Sequence, residues 1–271
     1  MLTRTASLVS GLLGRNSSII RALRPSYERL LDAASGGRGT RWLVNGEAVR
    51  IDPRVRRLVA PTVEPELWSW LRANVGANEQ VLDIGSFLGI YAILLARWAG
   101  PAGRVLAFEP TPGTVPTLRR HLAINRVGDR VKVMPVALGD REGQVELHEH
   151  SDPYRNAIGV TDPAGRATGT RRVELTTVDT VCAREGFVPT LLRMDVQGFE
   201  RAVLMGARKT ITAGRGRLRI VLEVHPQLWP HQGFDEKAFD ATLAELGLRS
   251  RSLSPDGPRY EPDGHVQLEY I

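Results

Sequence analysis

The sequence holds a single cysteine, Cys182, which excludes an intrachain disulfide and a thiolate metal cluster. A reducing, cytoplasmic setting fits that usage. No run approaches the roughly 20 apolar residues of a membrane-spanning helix, so a transmembrane segment is not expected. Lysine is almost missing: of 36 basic residues only Lys132, Lys209 and Lys237 are lysines. The net charge of +6 and pI near 10.0 would suit nucleic acid, an anionic membrane surface or an acidic small molecule. The arginines, however, are scattered among acids instead of forming a basic run beside aromatics, so nucleic acid is not an expected partner.

What is present is ordinary globular material. With 271 residues, 42% hydrophobic and 24% charged, the chain can bury a substantial core in one large α/β domain with appendages. The first 24 residues carry Arg4, Arg15, Arg21 and Arg24 and no acid, with Leu8, Val9, Leu12 and Leu13 near helical spacing. A peripheral helix packed on the domain, or on a second copy of the chain in a homodimer, is favoured over a membrane-surface helix with weak peripheral attachment.

From residue 80, short β-type runs alternate with helical stretches, the pattern of parallel strands joined by crossovers. Strands are expected at Val81 to Ile84, Arg104 to Phe108, Val131 to Val136, Leu191 to Asp195 and Leu218 to Val224. Helices are expected near Ile90 to Trp98, Gly113 to Asn125, Phe199 to Thr212 and Asp235 to Leu246. Runs at Arg249 to Leu253 and His265 to Ile271, linked by SPDGPRYEPDG, read as an antiparallel hairpin edge. Residues 1–75 read as a helical and strand appendage, with WLVNGEAVRI a hairpin turning at Asn45 and Gly46. Residues 76–271 form the main domain, with a β-ribbon insertion at about 140–178. Its tip, Ser151 to Thr170, is the candidate substrate lid.

The segment VLDIGSFLG places Asp83 at a strand end, with Gly85, Ser86, Phe87 and Gly89 in a turn before a helix. Glycine permits close approach to a ligand, and a helix N-terminus offers backbone N–H groups. The G-x-x-x-G spacing after an acid differs from the G-x-G-x-x-G of dinucleotide-binding folds. An acid there is awkward beside a pyrophosphate and suits a cationic sulfonium donor, S-adenosylmethionine. One βαβ step on, RVLAFEP ends in Glu109, where a carboxylate can accept from both ribose hydroxyls. Phe87, Leu88 and Pro110 could flank adenine, or simply pack the turn. Asp140 in MPVALGDREG, or a backbone amide there, could meet the adenine amine, although a plain turn residue reads as well.

The ordered motifs VLDIGSFLGIYAILLA, VLAFEPTPGTVPTLRRHLAINRVGDRV, VALGDREGQVEL and LLRMDVQGFERAVLMGA resemble the FkbM family of methyltransferases across about residues 60 to 255. The resemblance implies a class I (Rossmann-like) fold: a mostly parallel seven-stranded sheet, helices on both faces and an antiparallel C-terminal edge. It implies S-adenosylmethionine as methyl donor and O-methylation of a sugar or glycoside, a polyketide or a related secondary metabolite. The usual motif K-I-D-V-E-G-F/Y-E is altered here to Arg193, Met194, Asp195, Val196, Gln197, Gly198, Phe199, Glu200. An amide thus replaces one acid, which argues against any role needing two carboxylates from this motif.

Asp195 ends the fourth strand, and LEVHP puts Glu223 and His225 two residues apart, on one face of the fifth. Two uses of this cluster are open. His225 can act as general base toward an acceptor hydroxyl, with Asp195 or Glu223 fixing its tautomer. Alternatively, Asp195 and Glu223 with His225 can hold Mg2+ or Mn2+. The loss of an acid at Gln197 favours the base. His148, His150, Asp152 and Tyr154 on the lid could meet a small-molecule or glycan acceptor or equally form a solvated ribbon face, and Trp229, His231 and Phe234 could wall a sugar ring or simply anchor their loop. N-methylation of an amine and a cofactor-binding module without activity are the competing readings. No N/D-P-P-Y motif for flipped-base chemistry ends the fourth strand.

Overall fold

The computed structural model describes residues 18–159 and 167–271. Residues 1–17 of the N-terminal arm and 160–166 of the candidate lid therefore lie outside the described residues. The chain divides into two compact units, one ending at Val63 and one spanning Glu64–Ile271. In the first, helix α1 (Ser18–Ala34) packs on a 3-10 turn at Pro53–Leu58, and β1 (Thr40–Val44) pairs antiparallel with β2 (Glu47–Ile51). The expected Asn45-Gly46 turn joins them, with φ of 47° and 84°. Positive φ at both central residues matches the right-handed strand twist.

The second unit opens with α2 (Pro65–Asn74) and then alternates β3 (Gln80–Ile84), α3 (Ile90–Trp98), β4 (Arg104–Phe108), α4 (Val115–Ile124) and β5 (Val131–Met134). After the ribbon come α5 (Val178–Glu185), β10 (Leu191–Met194), α6 (Glu200–Met205), α7 (Arg208–Ala213) and β11 (Arg219–Val224). The chain ends in α8 (Glu236–Glu245), β12 (Leu248–Ser252) and β13 (Gly264–Tyr270). The seven-stranded sheet has the order β12-β13-β11-β10-β3-β4-β5, and only β13 runs against its neighbours. The C-terminal hairpin thus folds its second strand inward, between β11 and β12. Because crossovers between parallel strands are right-handed, reversing direction at β3 puts helices on both faces. Accordingly α3 packs on α4, while α5 packs on α7 and α6 on α8.

The two sheet faces differ. Leu82, Ile84, Leu106, Phe108, Leu192, Met194, Ile220, Leu222 and Val224 all enter one apolar core with Val203, Leu204, Ile211 and Phe239. By the period of two, Asp83, Arg193 and Glu223 fall on the opposite face. Pairing aligns Arg193 with Asp83 and Glu223 with His265. The strand register therefore gathers charge on one face at the sheet's carboxyl edge.

The ribbon between β5 and α5 is a four-stranded sheet of order β6-β9-β7-β8, from β6 (Ala137–Leu138), β7 (Gly143–His150), β8 (Ala157–Ile158) and β9 (Ala167–Thr176). Leu147, Ile158, Val173 and Leu175 give it a small core against Phe199. Two details depart from the sequence reading. Thr177 caps α5 by accepting from the Thr180 amide, an unanticipated helix. The expected helix from Phe199 to Thr212 is broken into α6 and α7 at Gly206, where a Cβ would lie 1.9 Å from the Gly139 carbonyl oxygen.

Candidate active site

The chain leaves β3 in one direction toward β4 and β5, while β10 and β11 lie on its other side. The β3/β10 boundary is thus the topological switch point, outside whose carboxyl ends ligands bind in open α/β sheets. The Asp195 amide donates to the Ile84 carbonyl at 2.9 Å, joining the two strand ends. Gly85 (φ 80°) is required by this junction: a Cβ there would stand 1.8 Å from the Asp195 carbonyl oxygen, and one at Gly89 would stand 2.3 Å from Leu118 Cδ1. The glycines are therefore explained by close approach of protein to protein, where the sequence reading placed a ligand.

The amides of Gly85 and Ser86 both donate to the Phe108 carbonyl, at 3.0 and 2.8 Å. The Phe87 amide donates to Glu109 Oε2 at 2.9 Å, and the Thr111 amide to Glu109 Oε1 at 2.8 Å. These turn amides are spent within the protein, leaving a poor cradle for a pyrophosphate, whereas the Glu109 carboxylate, which takes the Phe87 and Thr111 amides and the Thr111 side chain, keeps acceptor capacity for a further donor. This donor set fits a ribose diol and a cationic cofactor. Burial pushes the Glu109 pKa up against the pull of the Thr111 side chain and of the Thr111 and Phe87 amides. Pro110 is half-buried beside it. Asp140 is exposed and pairs with the neighbouring Arg141 at 2.9 Å.

Asp83 is fully buried and has two protein partners: Ser86 Oγ donates to Oδ2 at 2.8 Å and Arg193 Nη1 approaches Oδ1 at 3.4 Å. Burial raises its pKa and Arg193 opposes the rise. Arg193, itself buried, also donates to the Gly85 carbonyl at 3.0 Å and to Asp195 Oδ2 at 3.3 Å. Its guanidinium carbon lies 4.6 Å from the Tyr91 ring centre. A residue that reads in the sequence as a departure from a motif is thus the cation joining the glycine turn to the reaction end of β10. Asp83 shapes the turn through it and presents no surface to a ligand.

The expected trio does converge. His225 Nε2 lies 3.6 Å from Glu223 Oε1 and 3.8 Å from Asp195 Oδ1. The group that fixes the imidazole, however, is Glu200, not Asp195 or Glu223: its Oε1 is 2.7 Å from His225 Nδ1. Glu200 is fully buried, and its carboxylate also accepts from Trp229 Nε1 and the Gly198 amide, each at 2.9 Å. Gln197 (φ 50°) spans the other side, its amide nitrogen 2.8 Å from His225 Nε2 and 3.1 Å from Asp195 Oδ1. Burial works to lower the His225 pKa, but Glu200 and Glu223 raise it well above that of free imidazole.

The His225 side chain is 1% exposed and that of Asp195 23%, which makes Asp195 the open member of the cluster. Burial and the charge of Glu223 push the Asp195 carboxyl up to about 7, against Arg193 and His225. Glu223 moves the other way: burial raises it, but the neighbouring imidazoles of His225 and His265 depress it below the ordinary carboxylate range.

On the ribbon, Tyr154 packs its ring against that of Phe87 in the glycine turn, the centroids 4.6 Å apart and the planes tilted by 49°. Its hydroxyl pKa is pushed up to about 12 by burial and by the charges of Glu64, Asp152 and Asp195. Asp152 caps its own turn, and His148 lies 3.3 Å from the Thr170 hydroxyl. His150 is buried, with no hydrogen bond to either ring nitrogen among the described residues. Trp229 is fully buried among Phe234, Phe239 and Tyr260, so it anchors the loop after β11 and is no wall for a sugar, while His231 is exposed. Sequence reasoning passed over Arg193, Glu200, Glu64 and His265 as site residues. The period of two along β10 would have found the first and cross-strand register the last.

Residues 74–250 match the family described as Methyltransferase FkbM domain. The chain is 24% identical to Methyltransferase sdnD of Sordaria araneosa over 219 residues, covering 70% of this chain and 80% of that one. It is 27% identical to 2-O-methyltransferase NoeI of Sinorhizobium fredii over 149 residues, covering 50% and 60%. A crystal structure of Methyltransferase FkbM from Methylobacillus flagellatus aligns with a TM-score of 0.46 at 18% identity, over 70% of this chain and 43% of that one. With the switch-point turn, the Glu109 carboxylate and the 6-7-5-4-1-2-3 order of the sheet, the chain belongs to the FkbM family and is an S-adenosylmethionine-dependent methyltransferase of the class I fold.

Proposed function

We propose that the protein methylates a hydroxyl group of a sugar, a glycoside or a related secondary metabolite, with Asp195 accepting the hydroxyl proton. The observation that carries this reading is a partly exposed carboxylate at the switch point, backed by an arginine and a buried imidazole. S-adenosylmethionine, when bound, supplies an electrophilic methyl group on a sulfonium sulfur. Glu109 would hold its ribose, and the half-exposed Phe87 and Tyr154 rings border the same space. The acceptor hydroxyl donates to Asp195, whose pKa near 7 places it close to the working pH, where a general base is most effective. Arg193 and the Gln197 amide hold that carboxylate, and Glu200 holds the ring of His225 behind it. His225, enclosed by protein, thereby becomes a positioning and charge-balancing residue. The name of NoeI, an O-methyltransferase, supports oxygen as the receiving atom.

The test is a panel of glycosides and other hydroxylated metabolites incubated with methyl-labelled S-adenosylmethionine, with the product read as methoxy or N-methyl by carbon NMR. Wild type is expected to give a methoxy product, with kcat/KM rising with pH through about 7 as Asp195 loses its proton. Asp195→Asn is expected to lose about 10²–10⁴-fold in kcat, the usual worth of a positioned base. An N-methyl product with the Asp195→Asn rate near wild type would replace this reading by amine methylation, since an amine brings its own lone pair.

A further inference from the structure

Next to the Asp195 cluster lies a second convergence. One ligand atom each of Glu64, Glu223 and His265 come within 4.8 Å of one another. His265 Nε2 stands 3.3 Å from Glu64 Oε2 and 3.7 Å from Glu223 Oε2, its side chain is 8% exposed, and Nε2 makes no hydrogen bond. A buried ring nitrogen is normally hydrogen-bonded, yet among the described residues Nε2 is met only by these two carboxylates at ion-pair distance. Donor atoms held at about 2.1 Å from one ion stand about 3.0 Å apart at right angles and about 3.4 Å apart at the tetrahedral angle. The observed spacings approach these values.

Three elements deliver the groups. Glu223 and His265 are opposed partners in the β11–β13 pair. Glu64 precedes Pro65 at the start of α2 in a left-handed conformation, φ 41° and ψ 66°, which is uncommon for a residue with a side chain. The Tyr91 hydroxyl donates to Glu64 Oε2 at 2.9 Å and fixes that carboxylate. In the neighbouring set of Asp195, Glu223 and His225, by contrast, the Gln197 amide already faces His225 Nε2 at 2.8 Å.

We propose that Glu64, Glu223 and His265 form a binding site for one first-row divalent transition-metal ion. An imidazole with two carboxylates favours Mn2+ or Zn2+ over Mg2+, which prefers oxygen and keeps its water. Glu223 is shared: Oε1 faces His225 at 3.6 Å while Oε2 faces His265. The ion would therefore tie β13 and α2 to the reaction site. This inference stands apart from the choice of methyl acceptor.

The experiment titrates the full chain with Mn2+ alone and reads continuous-wave and pulsed electron paramagnetic resonance. One Mn2+ per chain with a nitrogen coupling is expected. His265→Gln should remove the coupling and weaken binding at least about tenfold, whereas Asp195→Asn, which touches the site only through the charge of Glu223, should keep the coupling and weaken binding less than His265→Gln does. No bound Mn2+, bound Mn2+ without nitrogen coupling, or loss of binding in Asp195→Asn but not in His265→Gln would each overturn the proposal. The wild-type coupling decides the matter even if a variant fails to fold.

Discussion

Arg193 shows how much depends on a single side chain. It lies in the sheet between Asp83 and Asp195, with 4% of its side chain exposed, and its guanidinium serves both carboxylates and the Gly85 carbonyl. A buried ion pair contributes little net stability over a hydrophobic replacement of both partners, but removing one partner leaves an uncompensated charge. Arg193→Met is therefore expected to destabilise the protein by about 3–5 kcal/mol, read as a lowered urea midpoint with unchanged slope. A loss below about 1 kcal/mol, the range of ordinary surface pairs, would contradict the role assigned to it. Glu200 was equally hard to foresee: its carboxylate reaches His225 across 25 positions, and only the fold brings the two together.

At the scale of elements, much was legible. The strand ends at Ile84, Phe108 and Val224 and the helix from Ile90 to Trp98 emerge where hydrophobic periodicity placed them, because these segments bury continuous apolar faces. What periodicity could not supply was the contact that interrupts an element, such as Gly206 against the Gly139 carbonyl, or the short α5 whose clearest mark is its Thr177 cap. Joints between elements carry predictions of their own. Glu79, just before β3, takes the Thr190 hydroxyl and the Arg219 guanidinium. Burial raises its pKa, but those donors outweigh burial and hold the carboxyl below its ordinary value. Its contribution to stability is thus full above the unfolded pKa of about 4.3 and is lost as pH falls through the lower folded value. Glu79→Gln should unfold more easily than wild type at pH 7 and show a smaller further loss on acidification. Parallel losses of stability in the two proteins would contradict this.

Across the whole molecule the charge is unevenly spent. The chain carries a net charge of +6, yet Glu109, Asp195, Glu223 and Glu64 belong to the switch point or to the cluster beside it. Arg193, His225 and His265 face the acids Asp195, Glu223 and Glu64, whereas Glu109 meets the uncharged Phe87 and Thr111 amides, so its carboxylate is the one left to meet a cationic ligand. With the turn amides already bonded to the Phe108 carbonyl and to Glu109, this end of the sheet suits a sulfonium cofactor better than a pyrophosphate. The acceptor, by contrast, left no pattern in the sequence, since the groups nearest to it are assembled from distant segments. The most direct measurement is calorimetric titration of the full chain with S-adenosylmethionine, repeated with Glu109→Ala and with NAD. The account predicts one S-adenosylmethionine per chain, affinity at least about tenfold weaker in Glu109→Ala from the loss of charge-assisted hydrogen bonds, and no binding of NAD. Binding of NAD, or S-adenosylmethionine affinity unchanged by Glu109→Ala, would contradict it.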